Sequence, residues 1–236
     1  LLLVSLTFFA QSEHYNFSKL DIYNGLSHNQ VNTILRDADG FVWFGTMSGL
    51  NRYDGYSCKI FRNRHNDSTS LYDNYVASLY ELPEGKMWVM TRDTPCIYNP
   101  STEKFDANYR GYLHSLGLPA GPIINIAKGN KGRYWFLYDS LDLYLYSEIE
   151  KKAKPFRSNF KFTPSEKITS IKETKDGKLW LIYQSGFGQE EERDANRMGG
   201  ESHALQKLNK GDNAYSLLLD NDGDVWIWRI PFGVFL

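Results

Sequence analysis

Five of the six tryptophans in this 236-residue chain fall on a regular beat: Trp43, Trp88, Trp135, Trp180 and Trp226, at intervals of 45, 47, 45 and 46 residues. Glycine stands three places before each of them (Gly40, Gly85, Gly132, Gly177, Gly223), and an aliphatic residue nine places before (Ile34, Leu79, Ile126, Ile171, Leu217). Self-similarity at such a period means one supersecondary unit per repeat, each too small to bury its apolar face alone. The chain must therefore stack copies of one small unit.

The unit reads as β. Val31 to Leu35 and Ile168 to Ile171 predict short first strands, and Asp39-Gly40, Asp176-Gly177 and Asp222-Gly223 predict tight turns, where glycine takes positive φ without a steric penalty. A second strand runs from each tryptophan, as in Val42-Trp43-Phe44-Gly45 and Trp135-Phe136-Leu137. Third strands are predicted at Leu50 to Tyr53, Cys96 to Tyr98 and Leu143 to Tyr146, and fourth strands at Ser57 to Phe61, Lys104-Phe105 and Lys154 to Phe156. Four short strands per repeat is the period of a propeller blade. Helical repeats would show apolar spacings of three and four over long stretches; here turn residues intervene about every eight to twelve positions. The segment Tyr109 to Pro122 reads as a long loop between blades two and three. Blade four is expected to lose its third strand to a mobile polar loop between Gly186 and Gly200, and residues 229–236 fit no later part of the repeat. The expected fold is an all-β propeller of four-stranded blades spanning residues 15–236, about five repeats of a ring that is not complete here.

Aromatic content of 15%, with 16 tyrosines, suits pleated, half-buried surfaces. A formal net charge of −1 with scattered basic residues gives no footprint for nucleic acid. Leu1 to Ala10 is apolar, too short for a membrane span of about 20 residues, and reads as the remnant of a secretory signal peptide ending at Ala10. Cys58 and Cys96 occupy different places in their repeats; pairing needs Cα atoms within ~7 Å, which the spacing does not promise, so both read as unpaired, half-buried thiols. No metal-ligand spacing and no cofactor motif is present, and the five histidines share no repeat register.

Blade one carries the fullest pattern: Asn24-Gly25-Leu26-Ser27-His28-Asn29-Gln30-Val31, Ile34, Asp37, Asp39-Gly40, Val42-Trp43-Phe44-Gly45-Thr46, Gly49-Leu50 and Arg52-Tyr53-Asp54-Gly55. These residues resemble the two-component regulator propeller repeat, closely in blade one and more weakly to about Trp226. That family supplies the periplasmic sensor regions of hybrid two-component systems of Bacteroidetes. The resemblance implies part of a seven-bladed ring in a longer chain, exported and anchored in the inner membrane through its parent, which would be a homodimeric histidine kinase. It implies a non-catalytic module that detects a small-molecule or oligosaccharide ligand, glycan-derived, to control transcription. The alternatives are a propeller enzyme, such as a streptogramin-type lyase or glycan-cleaving enzyme, and a protein-interaction propeller. Asp39, Asp176 and Asp222 read as turn residues, and the sialidase-type Asp-box, with Asp five places before Trp, is absent.

In propellers the turns between second and third strands line one mouth of the central channel. Three and four places past the tryptophans stand Thr46, Thr91, Tyr138 and Tyr183, then Met47, Arg92, Asp139 and Gln184. Arg92, Tyr138, Asp139 and Gln184 are the expected ligand-binding set, because they combine donors, acceptors and a flat ring face suited to a sugar.

Overall fold

The computed structural model describes residues 18–140, 142–156, 168–175, 177–183, 186–191, 206–207, 215–219, 225–229 and 233–235, with side chains for 18–140, 142–156, 170–175 and 177–181. Each repeat folds as an antiparallel meander of consecutive strands. Blade one holds β1 (Val31–Arg36), β2 (Val42–Thr46), β3 (Gly49–Tyr53) and β4 (Cys58–Phe61). Blade two holds β5 (Val76–Glu81), β6 (Met87–Thr91), β7 (Pro95–Asn99) and β8 (Lys104–Asp106). After a short helix α1 (Tyr109–Ser115), blade three holds β9 (Ile123–Lys128), β10 (Arg133–Tyr138), β11 (Leu143–Ser147) and β12 (Lys152–Phe156). Blade four holds β13 (Ile168–Glu173), β14 (Lys178–Tyr183), β15 (Gly186–Glu191) and β16 (Gln206–Lys207); blade five holds β17 (Tyr215–Leu219), β18 (Val225–Arg229) and β19 (Gly233–Phe235).

The first strands of successive blades pack on one another in the order β1, β5, β9, β13, β17, which makes them the inner strands of a propeller arc. Among the described residues no sheet takes a strand from the other end of the chain, so the arc is open.

Alternation along the inner and second strands then decides what each side chain meets. Trp43 is buried with Leu79, Val89, Tyr98 and Phe105 of blade two, its ring 5.0 Å from that of Tyr98 in an edge-on contact. Trp88 is buried with Ile126, Tyr134 and Phe136 of blade three. Trp135 is buried with Ile171, Leu179 and Leu181 of blade four, and its Nε1 donates to Glu173 Oε2 of β13 at 2.5 Å. Each of these indoles is thus a wedge facing the next blade, and the aliphatic residue nine places before the following tryptophan is what it meets. Trp180 is half-buried; the side chain of Trp226 lies outside the described residues.

The blade-one strand β2 needs glycine at its centre. A Cβ on Gly45 would sit 2.5 Å from Thr33 Cγ2 and 2.6 Å from Val76 Cγ1, so blade two closes directly onto the backbone there.

The turns that precede the tryptophans come in two forms. In blades two and three both central residues are left-handed: Glu84 and Gly85 at φ 61° and 68°, Lys131 and Gly132 at 53° and 68°. This is the primed geometry that matches strand twist. In blade one the Gly40 N–H donates to Asp37 O, closing the turn, and Gly40 itself takes φ 90° just beyond it. Gly177 donates likewise to Thr174 O, with φ 87°. Gly40 and Gly177 are thus left-handed glycines that close a turn, whereas Glu84-Gly85 and Lys131-Gly132 form turns with two left-handed residues.

Four expectations are corrected. Blade four does have a third strand, β15, which pairs with β14 from Lys178↔Glu191 to Tyr183↔Gly186; backbone pairing with an apolar neighbour overrides its polar composition. Residues 233–235 form β19 on β18 and so continue the repeat. The segment after Asn108 is not all loop: Asn108 Oδ1 accepts from Gly111 N and caps α1, whose Tyr109, Tyr112 and Leu113, with the capping Leu116, pack on the blade-two and blade-three core. Cys58 and Cys96 are both free; Cys58 is half-buried but Cys96 is fully buried in the blade-one and blade-two interface. The expected signal remnant at residues 1–10 and the chain between 192 and 205 lie outside the described residues.

Candidate functional site

The mouth of the arc is built from the turns between second and third strands and from the segments that lead into the inner strands. Three places past each of the first three tryptophans the side chain is buried and holds the turn together. Thr46 Oγ1 donates to Gly49 O at 2.9 Å, and Thr91 Oγ1 donates to Thr94 O. Both threonines have zero exposure. Tyr138 occupies the same position in blade three; its ring packs edge-on against Tyr144 at 5.4 Å and its hydroxyl donates to Pro119 O at 2.9 Å. Burial pushes the Tyr138 phenol well above its usual range, with the nearby Tyr144 adding to the shift. Tyr138 is 3% exposed and serves the wall of the mouth.

One place further, the side chains emerge. Met47, Arg92 and Asp139 are all exposed, and Gln184 lies outside the described residues. Arg92 lies with its guanidinium 5.1 Å from the ring centroid of Tyr75, a cation–π pair at the entry to β5. The Asp139 N–H donates to Pro122 O at 3.0 Å, which fixes this turn to the entry of β9 and leaves the carboxylate outward. The corresponding entry to β1 carries Gln30, whose Nε2 donates to Asn32 Oδ1 at 3.4 Å, and Asn32 Nδ2 donates to Val76 O at 2.9 Å. The mouth therefore offers a guanidinium, a carboxylate, amides and a tyrosine ring on neighbouring blades. Such a set can hydrogen-bond hydroxyl groups and stack on an apolar ring face.

Tyr75 is the residue that reading from the tryptophan offset missed. It stands one place before the inner strand, where Gln30 and Pro122 stand in blades one and three. A second missed signal is a leucine five places before each of the first three inner strands: Leu26, Leu71 and Leu118, exposed by only 6%, 0% and 4%. These leucines anchor the entry segments, and so position the mouth residues that follow them.

Among the described residues no helix is long and apolar enough to cross a membrane.

Comparison with known proteins places this architecture. Residues 25–48 match the family described as two component regulator propeller. A 62-residue stretch is 42% identical to histidine kinase P4 of Formosa agariphila, covering 26% of this chain and 4% of that protein. The extracellular domain of a hybrid two component system from B. thetaiotaomicron superposes with a TM-score of 0.60 at 23% identity, over 89% of this chain and 29% of that one. A second such domain from the same organism gives 0.57 at 18% identity, over 87% and 26%. The chain thus spans less than a third of each of these two solved structures and 4% of the curated relative.

Proposed function

We propose that this chain, which carries a two component regulator propeller repeat at residues 25–48, is part of the extracytoplasmic ligand-sensing propeller of a hybrid two-component regulatory system. The ligand we infer is a glycan fragment, bound at the mouth by Arg92 and Asp139 with Gln184 alongside, on a wall that Tyr138 braces. In this reading the module is itself non-catalytic, and binding is relayed through the rest of a membrane-anchored, dimeric parent to a kinase that controls transcription. The observation that carries the reading is the propeller arc with a family repeat in blade one, together with 42% identity to a histidine kinase over 62 residues. The chemistry of the mouth agrees with it: Arg92 and Asp139 are exposed at one register in blades two and three, each on a turn that its buried predecessor ties down. Pre-fixed donors and acceptors lose little entropy on binding, which favours selective recognition of a polar ligand.

The test is calorimetric titration of the exported region of the parent protein against a panel of oligosaccharides, followed by the Arg92→Ala and Asp139→Ala variants with any binder. Each variant is expected to weaken binding about tenfold or more, the scale of one lost charge-assisted hydrogen bond. A binder whose affinity is untouched by both substitutions would remove the mouth as its site.

A further inference from the structure

On the outer rim, β4 of blade one and β8 of blade two border a cleft of about 340 Å³. That is within the roughly 300–1,000 Å³ of pockets that hold small ligands. Four cations line it, Lys59, Arg62, Arg64 and Lys104, against two anions, Asp67 and Glu103. The local excess is positive in a chain whose formal net charge is −1.

The walls are already fixed. Asn63 Nδ2 donates to Leu71 O at 2.9 Å and Tyr72 O at 2.8 Å, and the Asn63 N–H donates to Asn74 Oδ1 at 2.8 Å. The Arg64 N–H donates to Ser70 Oγ at 2.9 Å, and the Phe105 N–H donates to Thr69 O at 2.9 Å, tying the loop to β8. Both carboxylates have work elsewhere. Glu103 takes Arg52 at 3.0 Å and Lys59 at closer range. Asp67 folds back on its own turn, accepting from the Thr69 hydroxyl at 2.7 Å and the Thr69 N–H at 3.0 Å. Arg62 spends only its Nε, on Ser48 O at 3.0 Å. Arg64 and Lys104 form no ion pair among the described residues; they stand near enough to Asp67 to favour its charged form without closing on it. A rigid, sugar-sized concavity whose backbone is satisfied internally keeps two guanidinium groups and an ammonium available at its lip.

We propose that this rim cleft binds a multivalent oxyanion, a sulfate or phosphate group, either as the free ion or as an ester on a small molecule. Guanidinium forks match two oxygens of a tetrahedral oxyanion at once, and a charge-assisted bond of that kind is roughly twice as strong as a neutral one. The assignment is independent of ligand recognition at the mouth.

The experiment is titration of the full chain, at low ionic strength, with inorganic sulfate, inorganic phosphate, glucose 6-sulfate and glucose 6-phosphate. Saturable binding of at least one probe is expected, falling about tenfold or more when Arg64→Gln and Lys104→Gln are combined. The Lys151→Gln and Lys152→Gln pair, exposed where the β11–β12 turn enters β12, is expected to leave affinity within about twofold, as screened surface charge should. Esters that bind more tightly than the inorganic ions assign the site to an esterified ligand; equal affinity assigns it to the free ion. Absence of saturable binding for all four probes, or an equal loss in both paired variants, overturns the proposal. Should the paired glutamine variant fail to fold, Lys104→Glu alone, on an exposed side chain, is read in the same way.

Discussion

Blade one and the blades that follow it carry tryptophan, glycine and an aliphatic residue in the same register, yet their faces are covered to different degrees. Leu79, Ile126 and Ile171, nine places before their tryptophans, are 5%, 4% and 0% exposed, whereas Ile34 at the equivalent place in β1 is 64% exposed. Val89, Phe136 and Leu181 follow their tryptophans and have zero exposure, but Phe44 is only half-buried. Tyr98 and Tyr146 are buried and Tyr53 is not. The leading face of each later blade lies on the indole of the blade before it, while the leading face of blade one has no such neighbour among the described residues. Burial in this fold belongs to the junction between two sheets, and an apolar residue in a perfect repeat position is stabilising only where a second sheet meets it.

That contrast can be broken or sharpened by substitution. The largest effect is expected from Trp135→Ala, which empties a junction lined by Ile171, Leu179 and Leu181 and strands the Glu173 acceptor. A loss of ~3–5 kcal/mol in urea unfolding would agree with a filled junction, and a loss under ~1 would break the comparison. Next come Leu79→Ala and Ile34→Ala as a matched pair. The first should cost ~2–4 kcal/mol and the second less than ~0.5, although both remove an aliphatic side chain from the same repeat position. Equal costs would show that blade one's leading face is covered after all. Gly45→Ala comes third: the added methyl must push Thr33 and Val76 apart, for an expected ~1–3 kcal/mol and a lowered Tm.

The smallest effect is a difference in reactivity. Burial pushes the Cys96 thiol up to about 12, and burial followed by the Asp54 charge raises the half-buried Cys58 thiol as well. The thiolate is the nucleophile, so at pH 8 Cys58 should be the first to react with a disulfide reagent, and Cys96 only once denaturant is added. Two equally fast equivalents would contradict the sealed junction. The sign for stability follows from the same shift. With the folded value above the unfolded one, the Cys96 contribution is intact below about pH 8.5 and is lost as pH climbs toward 12.

Much of this was readable from the tryptophan beat alone. The period, the turn glycines and the four strands of blades one to three all follow from residues that repeat in register, because each answers to a local demand of twist or packing. The strand β15 was not readable, since Gln189, Glu190 and Glu191 show no apolar alternation and their extended form comes from pairing with β14. The helix α1 could have been found from Tyr109, Tyr112, Leu113 and Leu116 at helical spacing behind the Asn108 cap. The leucine that anchors the first three entry segments was visible at residues 26, 71 and 118, but Thr163 and Lys210 stand there in blades four and five and obscure the pattern. At the mouth, the offset of four past tryptophan located Arg92 and Asp139 on the surface. It could not show that Tyr138, one place earlier, turns inward to Pro119, nor that Tyr75 sits beneath Arg92. Those pairings depend on how neighbouring loops pass, which no fixed offset encodes.

Every sheet here is a run of strands adjacent in sequence, and every large interface joins one sheet to the next. In blades one to three hairpin closure therefore spans only short loops, and a blade can complete its ladder as soon as its own residues have left the ribosome. Its exposed indole then serves as the platform on which the next blade condenses, so the growing arc is built in one direction. A chain assembled this way can gain or lose whole repeats over evolutionary time while each surviving junction keeps its geometry.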